Sequence, residues 1–301
     1  MLTYPLLKKY QSQCAIFGLL FGAVCWGVIW YPYRLMQEAG VSGVASSFYT
    51  YVIAVGIFAI VFHQQWRAAI HQPKSIIWLA LIAGWTNLSY VLAIIDGEVM
   101  RVMLLFYLSP LWTLVLAHFW LKERTNKRGV AVIVLSLIGA FIMFWQQGAW
   151  PLPNNKAEWL ALSSGMGFAM TNVITRHSSH LTIAAKSMAV WVGVLLMSLL
   201  FILLQDAPFP NPMSMTLMQL LVMLGITFLL MAATLFVQYG ITHIPVTKAS
   251  VLFMFELVVA AVASYFLTDE TLSLREWLGG ALIIVAALFA ATNEQTQEAA
   301  L

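Results

Sequence analysis

Ten apolar runs, each about as long as a bilayer is thick, take up nearly all of a 301-residue chain. They cover residues 12–36, 43–63, 75–95, 99–120, 128–147, 157–176, 184–204, 216–240, 246–267 and 274–292. A helix that crosses the hydrocarbon needs about 20 mostly apolar residues, so each run has the length of one transmembrane helix. The runs are continuous and do not alternate with period two, which argues against a β-barrel. Polar or turn-forming stretches separate them, among them Gln37–Gly40, Asp96–Glu98, Lys122–Arg128, Pro151–Asn155 and Asp206–Pro212. The expectation is an all-α membrane protein of ten transmembrane helices, with no room for a soluble catalytic or ligand-binding domain.

Composition agrees. Apolar residues make up 61% of the chain and charged residues 9%, where an ordinary globular domain has ~45–50% and ~25%. With a mean hydropathy of +0.86, there are too few polar side chains to coat a water-facing surface. The net charge of +3 on 15 scattered Lys and Arg argues against a nucleic-acid partner. Cys14 and Cys25 share one apolar run, roughly 16 Å apart on a helix, too far for a disulfide. Lys8 and Lys9 precede that run, but it is longer than a signal-peptide core and no A-x-A site follows. It reads as a retained first span.

Basic residues orient the chain. With the amino terminus in the cytoplasm, that side holds Lys8, Lys9, Arg67, Lys74, Lys122, Arg124, Lys127, Arg128, Arg176, Lys186 and Lys248. The other side holds only Arg34, Arg101, Lys156 and Arg275. Both termini are therefore expected in the cytoplasm.

An internal repeat carries further information. An offset of 147 lays Leu105-Phe106 on Leu252-Phe253, Phe119 on Phe266, Glu123 on Glu270, Arg128 on Arg275, Leu135 on Leu282 and Arg101 on Lys248. An offset of 142 lays Trp26-Gly27 on Phe168-Ala169 and Arg34 on Arg176. Residues 1–150 and 151–301 thus read as two five-helix repeats. Because five is odd, the second enters the membrane from the opposite side. Inverted repeats of this kind underlie alternating access in many secondary transporters, with a site near the midplane between the halves.

Arg101-Val-Met-Leu-Leu-Phe-Tyr-Leu-Ser-Pro110-Leu-Trp112 runs on to Glu123 and Arg128-Gly129, and Glu256-Leu-Val-Val-Ala260 runs on to Asp269-Glu270 and Arg275. In these stretches the whole chain resembles the ten-helix, EamA-type exporters of the drug/metabolite transporter superfamily. Those proteins usually show a proline-containing fourth span ending in glutamate, with the same layout in the ninth. The arginine that many of them carry in the second span is absent here. The resemblance implies a carrier of the bacterial cytoplasmic (inner) membrane that exports amino acids, metabolites or drugs without ATP.

Glu256 lies near the centre of span nine, where an ionisable group costs ~2.5–3.5 kcal/mol and is by default a functional hypothesis. It is expected either to exchange a proton as its exposure changes, making protons the coupling ion, or to pair with a substrate amine. The plainer alternative is a hydrogen bond to a neighbouring helix. Asn87 with Tyr90, Asn172, and Gln238 with Thr234 are the other midspan polar groups, suited to helix-to-helix bonding or to substrate. Trp26, Trp30 and Tyr33 form an i, i+4, i+7 aromatic stripe, and Tyr107 lies one turn before Pro110. Aromatic walls suit an apolar solute and suit lipid equally well. Trp120, Trp145, Trp150, Trp159 and Trp277 read as interfacial belt.

Arg101 and Lys248 occupy equivalent positions near opposite faces, either as charges at the pathway mouths or as snorkelling side chains. Pro110 removes one backbone hydrogen bond from span four and is expected to kink it. Gly18 and Gly22 permit close helix approach. The chain shows no H-E-x-x-H, G-x-S-x-G or phosphate-cradling motif, and His177, His180 and His243 read as loop histidines rather than metal ligands. Neither a cofactor nor an enzymatic activity is expected. The leading reading is an exporter of small amphipathic solutes. A facilitator or channel is the alternative, and an intramembrane enzyme ranks behind both.

Overall fold

A computed structural model describes residues 4–61, 73–97, 99–145, 153–204, 211, 213, 215–267 and 273–292. Arg67, Glu98, Trp150, Asp206, Asp269 and Glu270 lie outside the described residues, as do the side chains of Lys8, Lys9 and Arg101. Among the described residues there are twelve α-helices and no strands. In chain order they are α1 (Tyr4–Glu38), α2 (Gly43–Val61), α3 (Pro73–Asp96), α4 (Val99–Phe106), α5 (Ser109–Leu116) and α6 (Lys127–Phe144). The second set is α7 (Lys156–His177), α8 (Ile183–Leu204), α9 (Leu217–His243), α10 (Val246–Phe253), α11 (Phe255–Leu267) and α12 (Leu274–Thr292). A π-helical turn, Ala117–Leu121, continues α5.

Two of the expected spans are each built from a pair of helices. The fourth breaks at Tyr107-Leu108 between α4 and α5, and the ninth breaks at Met254 between α10 and α11. Pro110 explains the first break, since it lies at the amino-terminal end of α5, where a missing N–H is tolerated. No proline marks the second. Tyr107 and Met254 are nonetheless separated by the 147-residue offset that aligns the two halves.

The packing pairs follow the same exchange. Helix α1 packs on α9 as α7 packs on α3, and α1 meets α10 and α11 as α7 meets α4 and α5. Likewise α3 packs on α8 as α9 packs on α2, while α2 meets α8 and α6 meets α12. The main helix pairs therefore join the first half to the second. Glycine allows several of these approaches, among them the two that border the rings described below. A Cβ on Gly27 would lie 2.9 Å from the Glu256 carbonyl oxygen, and one on Gly165 would lie 2.5 Å from the Phe106 carbonyl oxygen. Gly18 meets the backbone of Phe236 in the same way, so the glycine pair of α1 does serve helix contact.

Among the described residues, six segments are long and apolar enough to cross a membrane: Tyr10–Glu38, Gly43–Val61, Lys74–Ala93, Ile183–Leu204, Leu217–His243 and Val246–Leu267. Ser109–Leu121 and Trp277–Ala290 are shorter apolar helices. Helix α7 is not among the six, although it has 22 residues. Its polarity has a structural reason. Ser164, Thr171, Asn172 and Thr175 are buried against other helices, and the Ser164 hydroxyl donates to the Thr86 carbonyl of α3 at 2.7 Å. A helix surrounded by protein has no need of an apolar circumference.

Candidate functional site

Where the two halves meet, four aromatic rings from α1, α4, α7 and α10 converge. Trp26 lies 5.6 Å from Phe253 and 6.2 Å from Phe168, centroid to centroid. Phe168 lies 5.6 Å from Phe106 and 5.3 Å from Phe253. The sequence offsets match Trp26 with Phe168 and Phe106 with Phe253, so the cluster contains both rings of each of two matched pairs, one from each of four helices. The Trp26–Phe253 and Phe168–Phe106 contacts are counterparts of equal length. Such tilted and edge-on arrangements are the favoured ones for aromatic groups.

Polar groups border this cluster on one side. Tyr90 of α3 packs on Phe106 at 5.0 Å and Tyr107 packs on it at 5.2 Å. The Tyr107 hydroxyl donates to the Glu256 carboxyl group, which is also within electrostatic reach of Tyr90. Both members of that hydrogen bond sit at the helix breaks, Tyr107 between α4 and α5 and Glu256 in the first turn of α11. The structure thus brings together Glu256, Tyr107, Tyr90 and Trp26 from the sequence-derived candidates. Asn87, half-buried, lies one turn before Tyr90 on α3.

The aromatic stripe of α1 does not stay together. Trp30 packs on Tyr31 of its own helix at 5.7 Å, and the Tyr33 hydroxyl is within hydrogen-bonding reach of Ser47 of α2. Successive turns of α1 face different neighbours, so only Trp26 reaches the cluster. Lys248 is buried in α10 beside Thr125 and Gly129 instead of snorkelling outward. The backbone of Arg101 belongs to α4, and its side chain is outside the described residues. Trp120, Trp159 and Trp277 are exposed on the rim of the bundle.

Following α7 away from the rings, Phe168 is succeeded by Asn172 and Arg176 at one-turn intervals. Gln238 and Thr242 are spaced in the same way on α9. Asn172 and Gln238 are only 2% and 3% exposed. Among the described residues, the Asn172 amide nitrogen and the Gln238 amide oxygen have no hydrogen-bond partner. Leaving a buried donor or acceptor unpaired costs ~1–3 kcal/mol, and such groups in a native fold call for an explanation.

One turn further along lies an ionic network that sequence reasoning missed. The Arg176 Nε donates to Glu123 Oε1 at 3.0 Å, with these side chains 17% and 16% exposed. Its Nη1 donates to the Thr242 carbonyl. Glu123 Oε2 accepts from the backbone N–H of Val246 at 3.1 Å, capping α10, where Pro245 supplies no side-chain cap. Lys186 is fully buried and donates to the Thr242 hydroxyl at 2.5 Å and the Thr175 carbonyl at 3.4 Å. Arg176 and Lys186 thus sit on carbonyls in the last turns of α7 and α9, where the helix dipole favours cations. The repeat alignment had paired Glu123 with Glu270 and Arg34 with Arg176. What the sequence did not reveal was that Glu123 and Arg176 touch.

Comparison with known proteins now bears on this arrangement. The profile of the EamA-like transporter family matches the chain twice, over residues 13–145 and 155–292. The chain belongs to the EamA-like transporter family. It is 25% identical over 226 residues to an uncharacterized transporter of Archaeoglobus fulgidus, covering 72% of this chain and 76% of that protein. It is 21% identical over 191 residues to an uncharacterized transporter of Pseudomonas aeruginosa, covering 62% of each. A solved crystal structure superposes with a TM-score of 0.73 over 92% of this chain and 96% of its own, at 16% identity, a likeness of fold alone. The protein is accordingly a multi-pass membrane protein of a transporter family, a class distinct from enzymes.

Proposed function

We propose that the protein is a secondary transporter of the bacterial cytoplasmic membrane. It exports small amphipathic organic solutes, with amino acids or related metabolites leading and drugs within range. Its units are residues 1–150 and 151–301, two inverted five-span repeats that rock against each other to give alternating access. Both termini lie in the cytoplasm, as the eleven-to-four distribution of basic residues suggests. The end that carries Glu123 and Arg176 then faces the cytoplasm.

The observation that carries this reading is the aromatic cluster of Trp26, Phe106, Phe168 and Phe253, contributed by both halves and bordered by Tyr107 and Glu256. A site made from both halves is sensitive to their relative rotation, which is the requirement of alternating access. The rings receive the apolar body of the cargo, and Asn172 and Gln238 offer their unpaired amide atoms to its polar end. Asn87, Tyr90 and Trp30 line the approach, with Arg101 and Lys248 as charges toward the two mouths.

Glu256 takes one of two roles. It either exchanges a proton between the two states of the cycle, or it stays charged and pairs with a substrate amine. Flux of wild type and Glu256→Gln at matched membrane abundance, from mildly acidic to mildly alkaline pH, decides between them. Loss of the wild-type pH dependence identifies proton coupling, and weakened affinity at every pH identifies amine binding. Indistinguishable profiles remove Glu256 from the mechanism. If only inorganic ions cross in reconstituted vesicles, the exporter reading fails and a channel replaces it.

A further inference from the structure

We propose that Glu123 and Arg176, with Thr242 and Lys186 behind them, are the gate that closes one end of the transport pathway. This rests on the transport reading above and adds a set of positioning residues to it. Three observations carry the proposal.

The first is position. Arg176 follows Phe168 by two turns of α7, about 12 Å along the helix, and the Asn172–Gln238 layer lies between them. The network therefore stands directly over the aromatic cluster, between it and the end of the bundle.

The second is connectivity. Arg176, Lys186, Thr242 and Val246 belong to α7, α8, α9 and α10, all in the second half, whereas Glu123 follows the π-helical turn of the first half. Glu123 is thus the member that fastens one half to the other. Its two oxygens hold two different helices of the opposite half, one through Arg176 and one through the Val246 N–H. The loop that presents it is set by Lys122 in a left-handed conformation, φ 56°, and by the Glu123 N–H bonding back to the Ala117 carbonyl at 3.2 Å. Lys186 holds the Thr242 hydroxyl while Arg176 holds the Thr242 carbonyl, so Lys186 positions the end of α9 without touching Glu123.

The third is the contrast with the opposite end. Arg34 is the counterpart of Arg176 on α1. It pairs at 3.0 Å with Glu38 of its own helix, with the two side chains 54% and 60% exposed. An exposed pair within one helix cannot hold two halves together and contributes little. The Glu123–Arg176 pair joins the two halves and is largely shielded from water, where a hydrogen bond is electrostatically stronger. Among the described residues the opposite end carries one bond between the halves, from the exposed Gln219 amide to the Ala39 carbonyl at 2.8 Å. The Glu123 end is held by a charged and largely buried bond, and opening it requires Glu123 to release Arg176 and α10 together.

The test is a distance measurement in the full-length protein in lipid nanodiscs. Cys14 and Cys25 are replaced by serine and alanine, and spin labels are placed on cysteines introduced at the exposed Arg124 and Ser179. The parent protein should give one dominant, short distance. Glu123→Gln, which conserves volume, should add a longer distance and change the ratio of the two states by about tenfold, the effect of losing one charged hydrogen bond. Arg176→Gln should do the same, and the double variant should shift the ratio by clearly less than the sum of the two single shifts, because both break the shared Glu123–Arg176 bond while the Val246 and Thr242 contacts belong to one residue each. Near-parental distances in all three variants, with melting temperatures showing them folded, would overturn the gate, as would strictly additive shifts. If Arg176→Gln does not fold, the Glu123→Gln distance distribution alone decides. No substrate is needed, so these distances judge the gate, while flux through the wild-type protein separately judges the transport reading.

Discussion

Replacing Gly165 by alanine tests how tightly the two halves are fitted around the aromatic cluster. The added Cβ would stand 2.5 Å from the Phe106 carbonyl oxygen and 3.1 Å from the carbonyl carbon and Cα. All three neighbours are backbone, so no side chain can rotate out of the way, and α7 must shift from α4 by about 0.5 Å merely to reach a tolerable separation. Overpacking of this kind costs about 1–3 kcal/mol, against which alanine recovers about 1 kcal/mol of helix propensity. The net expectation is a loss of about 1 kcal/mol. Gly56→Ala is the internal control, since among the described residues a Cβ there meets nothing within 4 Å, and the same propensity gain should stabilise the protein. Thermal unfolding of both variants in one detergent measures the contrast, and flux should fall in Gly165→Ala because Phe168, less than one turn on, moves with the helix. If Gly165→Ala melts at or above the wild-type temperature, or both variants shift in the same direction, the close approach of α7 to α4 is wrong.

Other outcomes follow from the same contacts. Asn172→Leu removes a buried amide with an unpaired nitrogen, so it should raise the melting temperature while lowering flux; a variant that transports normally would make Asn172 a structural residue. Tyr107→Phe deletes the hydroxyl that donates to Glu256, and it should alter the pH profile of flux in wild type but leave a Glu256→Gln background unchanged. Reporters at the carboxyl terminus and in the Asp206–Pro212 segment should appear on opposite sides of the membrane, and finding both on one side would refute the proposed topology.

The helical class was legible from apolar run length, and the family from the stretches running from Arg101 to Gly129 and from Glu256 to Arg275. The helix break at Tyr107 was half-legible, since Pro110 announces it, while the matching break at Met254 has no proline and emerges only from the fold. Glu256 stood out because a carboxyl group in an apolar run is rare. Phe106, Phe168 and Phe253 did not, because phenylalanine occurs 18 times in this chain and suits lipid as well as any site. Their alignment across the repeat was the available signal. Lys186 counted as a surface charge in the orientation argument, yet it is fully buried. Its first-turn position on α8 places it against the carbonyl-rich ends of α7 and α9, a juxtaposition no local pattern encodes. The stripe of Trp26, Trp30 and Tyr33 has correct helical spacing, but neighbouring helices divide it.

The central claim is that the rings joining the two halves form a site through which an organic solute passes. Its most direct test is efflux of a panel of radiolabelled amino acids and related metabolites from vesicles containing only the purified protein. Wild type and a Trp26→Ala/Phe168→Ala variant of equal abundance and stability are compared. The account predicts saturable flux of at least one organic solute that the double substitution abolishes. Saturable flux that survives intact in the variant, or passage of inorganic ions alone, would contradict it.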